Sequence, residues 1–230
     1  MAPNPQHNAD ATTLSAQPPG LSLRLWLEFL VLFFGFPIVL GLFFGRFPLF
    51  PVLGGLTMVA LLLLAITPGF RLRGLLKGPV FQEWPIILGF TLITALTCVV
   101  ITLWLVPERF MELPLNRTGL WIMIMVLYPV VSVIPQELIY RPLFFRRYGR
   151  LFPNVGWAVV TNGIAFGLAH LFFMNWVAIG MTTIGGLVMG WAYMRHQSFL
   201  LACVLHALAG QMIFTSGLGI FFYHGAIGAQ

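Results

Sequence analysis

The chain has 230 residues, of which 59% are hydrophobic and 8% are charged, whereas about 25% of residues are charged in an ordinary soluble domain. This composition excludes a soluble globular protein, because so few charges cannot form a water-facing surface. The net charge of +6 comes mostly from basic residues that flank apolar segments, which indicates membrane orientation and not nucleic-acid binding.

Residues 1–20 are polar and lack the apolar core of a cleavable signal peptide, so we expect a disordered cytoplasmic tail. A helix needs about 20 apolar residues to cross a bilayer. By this criterion the sequence predicts an all-α transmembrane bundle of about seven spans. These spans cover residues 25–44, 48–67, 84–106, 120–144, 155–173, 176–193 and 199–217. The sixth is short and rich in glycine, which favours close packing inside the bundle.

Loop charges predict the orientation of the spans. A cytoplasmic N-terminus places eight basic residues on the inner side and three on the outer side. The inner set is Arg24, Arg71, Arg73, Lys77, Arg146, Arg147, Arg150 and Arg195, and the outer set is Arg46, Arg109 and Arg117.

Cys98 and Cys203 both fall in apolar stretches, so we expect free buried thiols and no disulfide.

Ionisable side chains inside the spans are candidates for function, because charge within a bilayer is costly and needs a partner. Four residues meet this condition: Glu137, Arg141, His170 and His206. Glu137 and Arg141 are four residues apart, so they share a helix face and can pair. From spacing alone, this pair could equally be a structural link between helices.

One carboxylate and two imidazoles permit two kinds of amide hydrolysis. They could bind zinc with an open position for water. Alternatively, the carboxylate could take a proton from water while the imidazoles stabilise an oxyanion. Along upright helices, Glu137 and His206 lie roughly 11 Å from the inner end and His170 roughly 22 Å. The three meet only if the helix of His170 starts lower or tilts.

Three short motifs resemble the CAAX protease and bacteriocin-processing family, which includes the type II CAAX prenyl endopeptidases. The family pattern is Glu-Glu-x-x-x-Arg, Phe-x-x-x-His and His-x-x-x-Asn (or Asp) on successive membrane helices. The matching segments are Gln136-Glu137-x-x-x-Arg141, Phe166-x-x-x-His170 and His206-x-x-x-Gly210, within residues 120–215. Two positions depart from the pattern: Gln136 replaces the glutamate that activates water, and Gly210 replaces the final amide or carboxylate.

The resemblance implies a membrane-embedded, glutamate-dependent endopeptidase in the cell inner membrane. In this interpretation Glu137 activates water, Arg141 holds Glu137, and His170 and His206 orient the water and stabilise the oxyanion. Gln136 occupies the position of the usual base. We expect a reaction without a metal ion. Zinc is the alternative, but the candidate ligands do not follow the His-Glu-x-x-His spacing of a common zinc protease. The expected partners are a peptide or protein substrate, lipidated or not, and the lipid bilayer, without nucleic acid.

Alternatives follow from the two departures. In the first alternative, Glu137 takes over as the base. In the second, a substrate or partner supplies another carboxylate. In the third, the protein is an inactive relative with a binding, regulatory or bacteriocin-immunity role. A small proton-coupled transporter is a further alternative, against which stands the lack of an internal repeat.

The motifs divide the chain into a tail (1–20), helices without a motif (21–115) and a peptidase-like core (116–230).

Overall fold

The computed structural model describes residues 19–43 and 48–222, and within these ranges every regular element is helical. Residues 1–18, which hold most of the predicted tail, and Arg46 lie outside the described residues. The helices are α1 (19–43), α2 (Leu49–Ala65), α3 (Trp84–Leu105), α4 (Glu112–Asn116), α5 (118–148), α6 (Val155–Ala169), α7 (Trp176–His196) and α8 (Phe199–Ser216). Short 3₁₀ turns connect them, among which His170–Phe173 continues α6 and Leu218–Phe222 follows α8.

Six of these helices, α1, α3 and α5 to α8, are long and apolar enough to cross a membrane. Apolar side chains cover their outer faces, as Trp104 illustrates with 74% exposure. The predicted all-α, multi-pass membrane fold is therefore confirmed. The predicted second span corresponds to α2, which has only 17 residues and is shorter than the other six.

Local sequence explains where the motif-bearing helices begin. Asn154, Asn175 and Ser198 precede α6, α7 and α8, and each side chain accepts a hydrogen bond from the backbone N–H three residues later. These bonds measure 3.0, 2.8 and 3.1 Å. Such caps satisfy N–H groups that the first helical turn leaves free. Gly217 ends α8 at a φ of 115°, a conformation that only glycine adopts readily.

Helices α6 and α7 pack closely because glycines line their contact. A β-carbon at Gly163 would lie 2.6 Å from the side chain of Leu187, and one at Gly186 would lie 2.9 Å from Phe166. Both distances are too short for a real side chain. The close packing predicted for the glycine-rich sixth span is thus found at Gly186, whereas Gly180 on the same helix has open space around it.

Candidate active site

The motif helix α5 is irregular where the predicted site residues lie. Two π-helical segments, Pro129–Val133 and Ile139–Tyr148, flank the short α-helical stretch Ile134–Leu138. Pro142 lies inside the second segment and has no N–H to donate. A π-helical turn contains an extra residue, so it changes the direction in which later side chains point. Simple helical spacing therefore does not settle which face each side chain of this region occupies.

Glu137 and Arg141 form the buried ion pair that their spacing predicted. Arg141 Nε lies 2.7 Å from Glu137 Oε2, and Arg141 Nη2 lies 3.2 Å from Glu137 Oε1. Neither side chain is exposed. Two parallel hydrogen bonds to a carboxylate are a strong arrangement, and here they neutralise two charges that would be costly alone inside a membrane.

Asn162 on α6 completes this cluster, although none of the three sequence motifs contains it. Arg141 Nη1 donates to Asn162 Oδ1, while Asn162 Nδ2 donates to the carbonyl of Tyr140 at 2.7 Å. Asn162 is fully buried, so it fixes the guanidinium and the distorted backbone of α5 together. Its position in an apolar span was a usable signal, because a buried amide inside a membrane requires partners.

His206 on α8 contacts the same carboxylate. Its Nδ1 lies 2.9 Å from Glu137 Oε1. Because a carboxylate only accepts, Nδ1 of the neutral ring carries the proton, and this tautomer is assigned from the partner. The lone pair is then on Nε2, on the side of the ring away from Glu137. No described residue donates to that nitrogen, which leaves His206 with a free proton acceptor.

His170 presents an acceptor in the same way. Its Nδ1 lies 2.8 Å from the carbonyl oxygen of Phe166, so Nδ1 carries the proton and Nε2 the lone pair. The rings of His170 and His206 both pack on the edge or face of Phe166, with centroid distances of 4.9 and 5.3 Å. The two imidazoles are thus neighbours, although a depth count along upright helices separated them.

A large cavity of about 1850 Å³ lies beside these residues. Its wall is mainly apolar, and its polar side chains include Ser132, Gln136, His170 and His206. Gln136 Nε2 donates to Ser132 Oγ at 2.8 Å. Glu137 is fully buried and absent from the cavity wall. Of the two adjacent motif residues, the amide therefore faces the cavity and the carboxylate lies behind His206.

Position 210, where the family pattern has a polar side chain, has no room for one. A β-carbon on Gly210 would lie 2.5 Å from both Cζ and Oη of Tyr128. The phenol of Tyr128 lines the cavity, and its ring lies edge-on to His206 at 6.1 Å. The sequence carried a signal for Tyr128 that was missed: it is a polar side chain in an apolar span, close in sequence to Ser132 and Gln136.

A second polar cluster lies at the other end of α5. Arg147 Nη2 donates to Glu28 Oε2 at 3.0 Å and Arg147 Nη1 donates to Thr67 Oγ1 at 3.1 Å, while the hydroxyl of Tyr148 donates to Glu28. Arg147 belongs to the inner set of loop charges. Its side chain is buried and joins α5 to α1 and to the segment just after α2, because Glu28 on α1 supplies its counter-charge.

Metal ligands are sparse in the part of the chain that the structure describes. No group of three or more His, Cys, Asp or Glu side chains is placed there to hold a metal ion. Cys98 and Cys203 are buried and free, as expected. A metal-independent reaction stays a prediction, for which chelation is the test.

Comparison with known proteins bears on the same region of the chain. The family model described as type II CAAX prenyl endopeptidase Rce1-like matches residues 118–212. No curated protein and no solved structure matches the chain. The matched range contains the motif residues Gln136, Glu137, Arg141, His170 and His206 and leaves α1 to α4 outside. Through residues 118–212, this multi-pass helical membrane protein is similar to the Rce1-like type II CAAX prenyl endopeptidases.

Proposed function

We propose that the protein is an intramembrane endopeptidase that hydrolyses a peptide bond of a membrane-associated substrate, with His206 as the general base. The observation that carries this proposal is the placement of His206. Its Nδ1 is held by Glu137, and the residue lines a large apolar cavity. An imidazole oriented by a buried carboxylate, with the second nitrogen free, is the arrangement that a general base needs.

The reaction would proceed by addition of water to the scissile carbonyl. His206 Nε2 takes a proton from the water as its oxygen bonds to the carbonyl carbon. The resulting imidazolium donates through Nδ1 to Glu137, whose negative charge stabilises it. When the carbon–nitrogen bond breaks, His206 gives its proton to the departing amine. His170 Nε2, as an acceptor on the same wall, would hold the second hydrogen of the water.

Glu137 has a different role here from the one that the sequence resemblance implied. Both of its oxygens accept hydrogen bonds from Arg141, and one also contacts His206. A carboxylate so engaged, and without exposure to the cavity, is poorly placed to meet water directly. We assign Glu137 as a positioning residue that acts through His206, and this assignment removes the need for a glutamate at position 136.

The cavity supports a large, apolar substrate. Pockets for small molecules usually measure about 300–1000 Å³, and this cavity is larger, at about 1850 Å³. Its wall includes Leu40, Leu56, Phe90, Ile124 and Val188 from five different helices. A peptide that carries an apolar side chain or a covalent lipid would fit such a wall better than a soluble polar peptide would. Prenylated C-terminal peptides, for which the matched family is named, are the first class to test.

An inactive binding relative is the second candidate, and Gln136 is the observation that favours it. An amide cannot act as a base at ordinary pH, and this one is tied to Ser132. If water activation needs a carboxylate at position 136, the natural protein binds without cutting. A proton-coupled transporter is less well supported, since the deep carboxylate Glu137 is sealed from the cavity and paired with Arg141.

The test is cleavage of a peptide pool by protein purified in detergent, with farnesylated peptides included and with and without a chelator. We expect the wild type to cut and to resist chelation. Replacing His206 with alanine should lower the rate about 10²- to 10⁴-fold, the usual contribution of a general base. His196→Ala is the matched control, because that imidazole pairs with Glu83 and does not line the cavity.

Two outcomes would redirect the proposal. Activity that appears only in Gln136→Glu would identify the natural chain as a binding relative. Activity that a chelator abolishes and zinc restores would replace the general-base mechanism by metal catalysis with His170 and His206 as ligands.

A further inference from the structure

Resting on the proposed function, we infer that the hydroxyl of Tyr128 is the hydrogen-bond donor to the oxyanion, and that it takes the place of a side chain at position 210. Three observations support this role: the lack of space around Gly210, the hydrogen-bond roles of the two imidazoles, and the absence of a hydrogen-bond partner for the Tyr128 hydroxyl among the described residues.

The phenol of Tyr128 occupies the volume that a side chain at position 210 would need. A β-carbon on Gly210 would lie 2.2 Å from Cε1 and 2.5 Å from Oη of Tyr128, so the phenol excludes a side chain there and places its hydroxyl within the reach of one. Gly210 is four residues after His206, so both face the same side of α8. A polar atom at this point is therefore beside the proposed base.

The site lacks a donor if the histidines alone are considered. His206 and His170 each donate through Nδ1, to Glu137 and to the Phe166 carbonyl, so each offers only a lone pair to the cavity before the reaction. A tetrahedral intermediate requires a donor aimed at its oxygen. Gln136 already uses one amide hydrogen on Ser132, and Tyr128 supplies an O–H group.

That O–H group is unengaged among the described residues. Aromatic contacts hold the ring against His206 and Phe214, at 6.1 and 5.6 Å, but no described residue hydrogen-bonds to Oη. An unpaired hydroxyl in apolar surroundings is unfavourable, and a substrate oxygen would satisfy it. Tyr140 also lines the cavity, but its ring packs on Phe33 and Phe166 and not on an imidazole.

The step is balanced without transfer of the tyrosine proton. As water adds to the carbonyl carbon, the π electrons move to the carbonyl oxygen, and the water proton passes to His206. The oxyanion accepts a hydrogen bond from Tyr128, which keeps its proton. On collapse the carbonyl reforms, the carbon–nitrogen bond breaks, and the amine leaves with the proton from His206.

Tyr128→Phe is the first test, measured on the best-cleaved peptide of the pool. Loss of one oxyanion donor usually lowers kcat about 10²- to 10³-fold, and we expect a loss of this size with KM changed less than about threefold. Stability in detergent should not fall, since the substitution removes no bond to a described residue. Tyr193→Phe removes a phenol outside the cavity wall and should leave kcat unchanged.

The second test moves the hydrogen-bond donor from position 128 to position 210. Gly210→Asn alone should disrupt packing against Tyr128, whereas Tyr128→Ala with Gly210→Asn creates room and returns a donor. We expect the double variant to cut at least about tenfold faster than Tyr128→Ala alone, a modest share of one donor's contribution.

Failure of this inference differs from failure of the proposed function. A wild type that cuts while Tyr128→Phe cuts equally well would overturn the role of Tyr128 and leave the peptidase intact, and so would a loss confined to Tyr140→Phe. A wild type that cuts no peptide in the pool, in either the presence or the absence of a chelator, would count against both.

Discussion

His206 Nδ1 lies 2.9 Å from Glu137 Oε1, an oxygen that also accepts a hydrogen bond from Arg141. The carboxylate is thus shared between a permanent cation and an imidazole that becomes a cation only when it takes a proton. This arrangement makes Glu137 and His206 a single functional unit, and a unit of this kind has a measurable signature.

We predict that Glu137→Gln and His206→Ala have strongly non-additive effects on kcat. If Glu137 acts only through His206, the double variant should be no slower than His206→Ala, within about threefold. Losses that multiply would instead show that Glu137 contacts water independently. Because Glu137→Gln leaves Arg141 without a counter-charge, Glu137→Asp serves as a second variant that keeps the charge but shortens the reach to His206.

The remote ion pair between Arg147 and Glu28 should matter for stability. Leaving a hydrogen-bonding group unsatisfied typically lowers the free energy of unfolding by about 1–3 kcal/mol, and we expect a loss of this size for Arg147→Met, since the part-buried Glu28 would lose the partner of its hydrogen bonds. Denaturant titration in mixed micelles gives the value.

The matched control for that substitution is Arg109→Met. Arg109 pairs with Glu112 in an exposed i,i+3 bridge, and exposed pairs contribute little. No measurable change is expected there. An equal effect of the two substitutions would contradict the structural role assigned to Arg147.

Sequence alone could predict the membrane-spanning helices, because hydropathy and length determine them, and the ion pair of Glu137 with Arg141, because of its spacing of four. Glycine spacing correctly indicated a closely packed α7. The contact between Arg147 and Glu28 could not be predicted, since 119 residues separate the partners and both lie near span ends, where a charge can also be exposed.

The different positions of Gln136, at the cavity, and Glu137, behind His206, could also not be predicted from the sequence. Adjacent residues point about 100° apart on a regular helix, so the two side chains do not share one direction, and spacing does not say which of them faces the cavity. The π-helical segments on both sides make that count less reliable still. The residues that identify the wall are Tyr128 and Ser132, eight and four positions before Gln136, and the family motif contains neither of them.

Asn162 should support activity as well as stability. Asn162→Ala removes the bridge between Arg141 and the Tyr140 carbonyl, and an unsatisfied buried group costs about 1–3 kcal/mol. We also expect kcat to fall, because the Arg141–Glu137 pair that orients His206 loses its support. Asn154→Ala is the control: it removes only the cap of α6, so it should lower stability by about 1 kcal/mol without changing kcat. Equal activity of the two variants would show that Asn162 does not contribute to catalysis.

The glycines of α7 provide the last test, because two of them differ only in their surroundings. A β-carbon at Gly186 would meet Phe166 and the backbone of Gly163 on α6, whereas one at Gly180 would meet no atom within 4 Å. Gly186→Ala should therefore destabilise the fold by about 1–3 kcal/mol through overpacking. Gly180→Ala should be neutral or stabilising by up to about 1 kcal/mol, since alanine favours helix.

Activity should follow the same division. Phe166 is the ring on which both His170 and His206 pack, so a shift of α6 away from α7 at Gly186 moves both imidazoles. We expect Gly186→Ala to lower kcat at a temperature where the variant is still folded, and Gly180→Ala to retain the wild-type rate. If Gly186→Ala folds and cuts normally, the imidazoles do not depend on the close approach of these two helices.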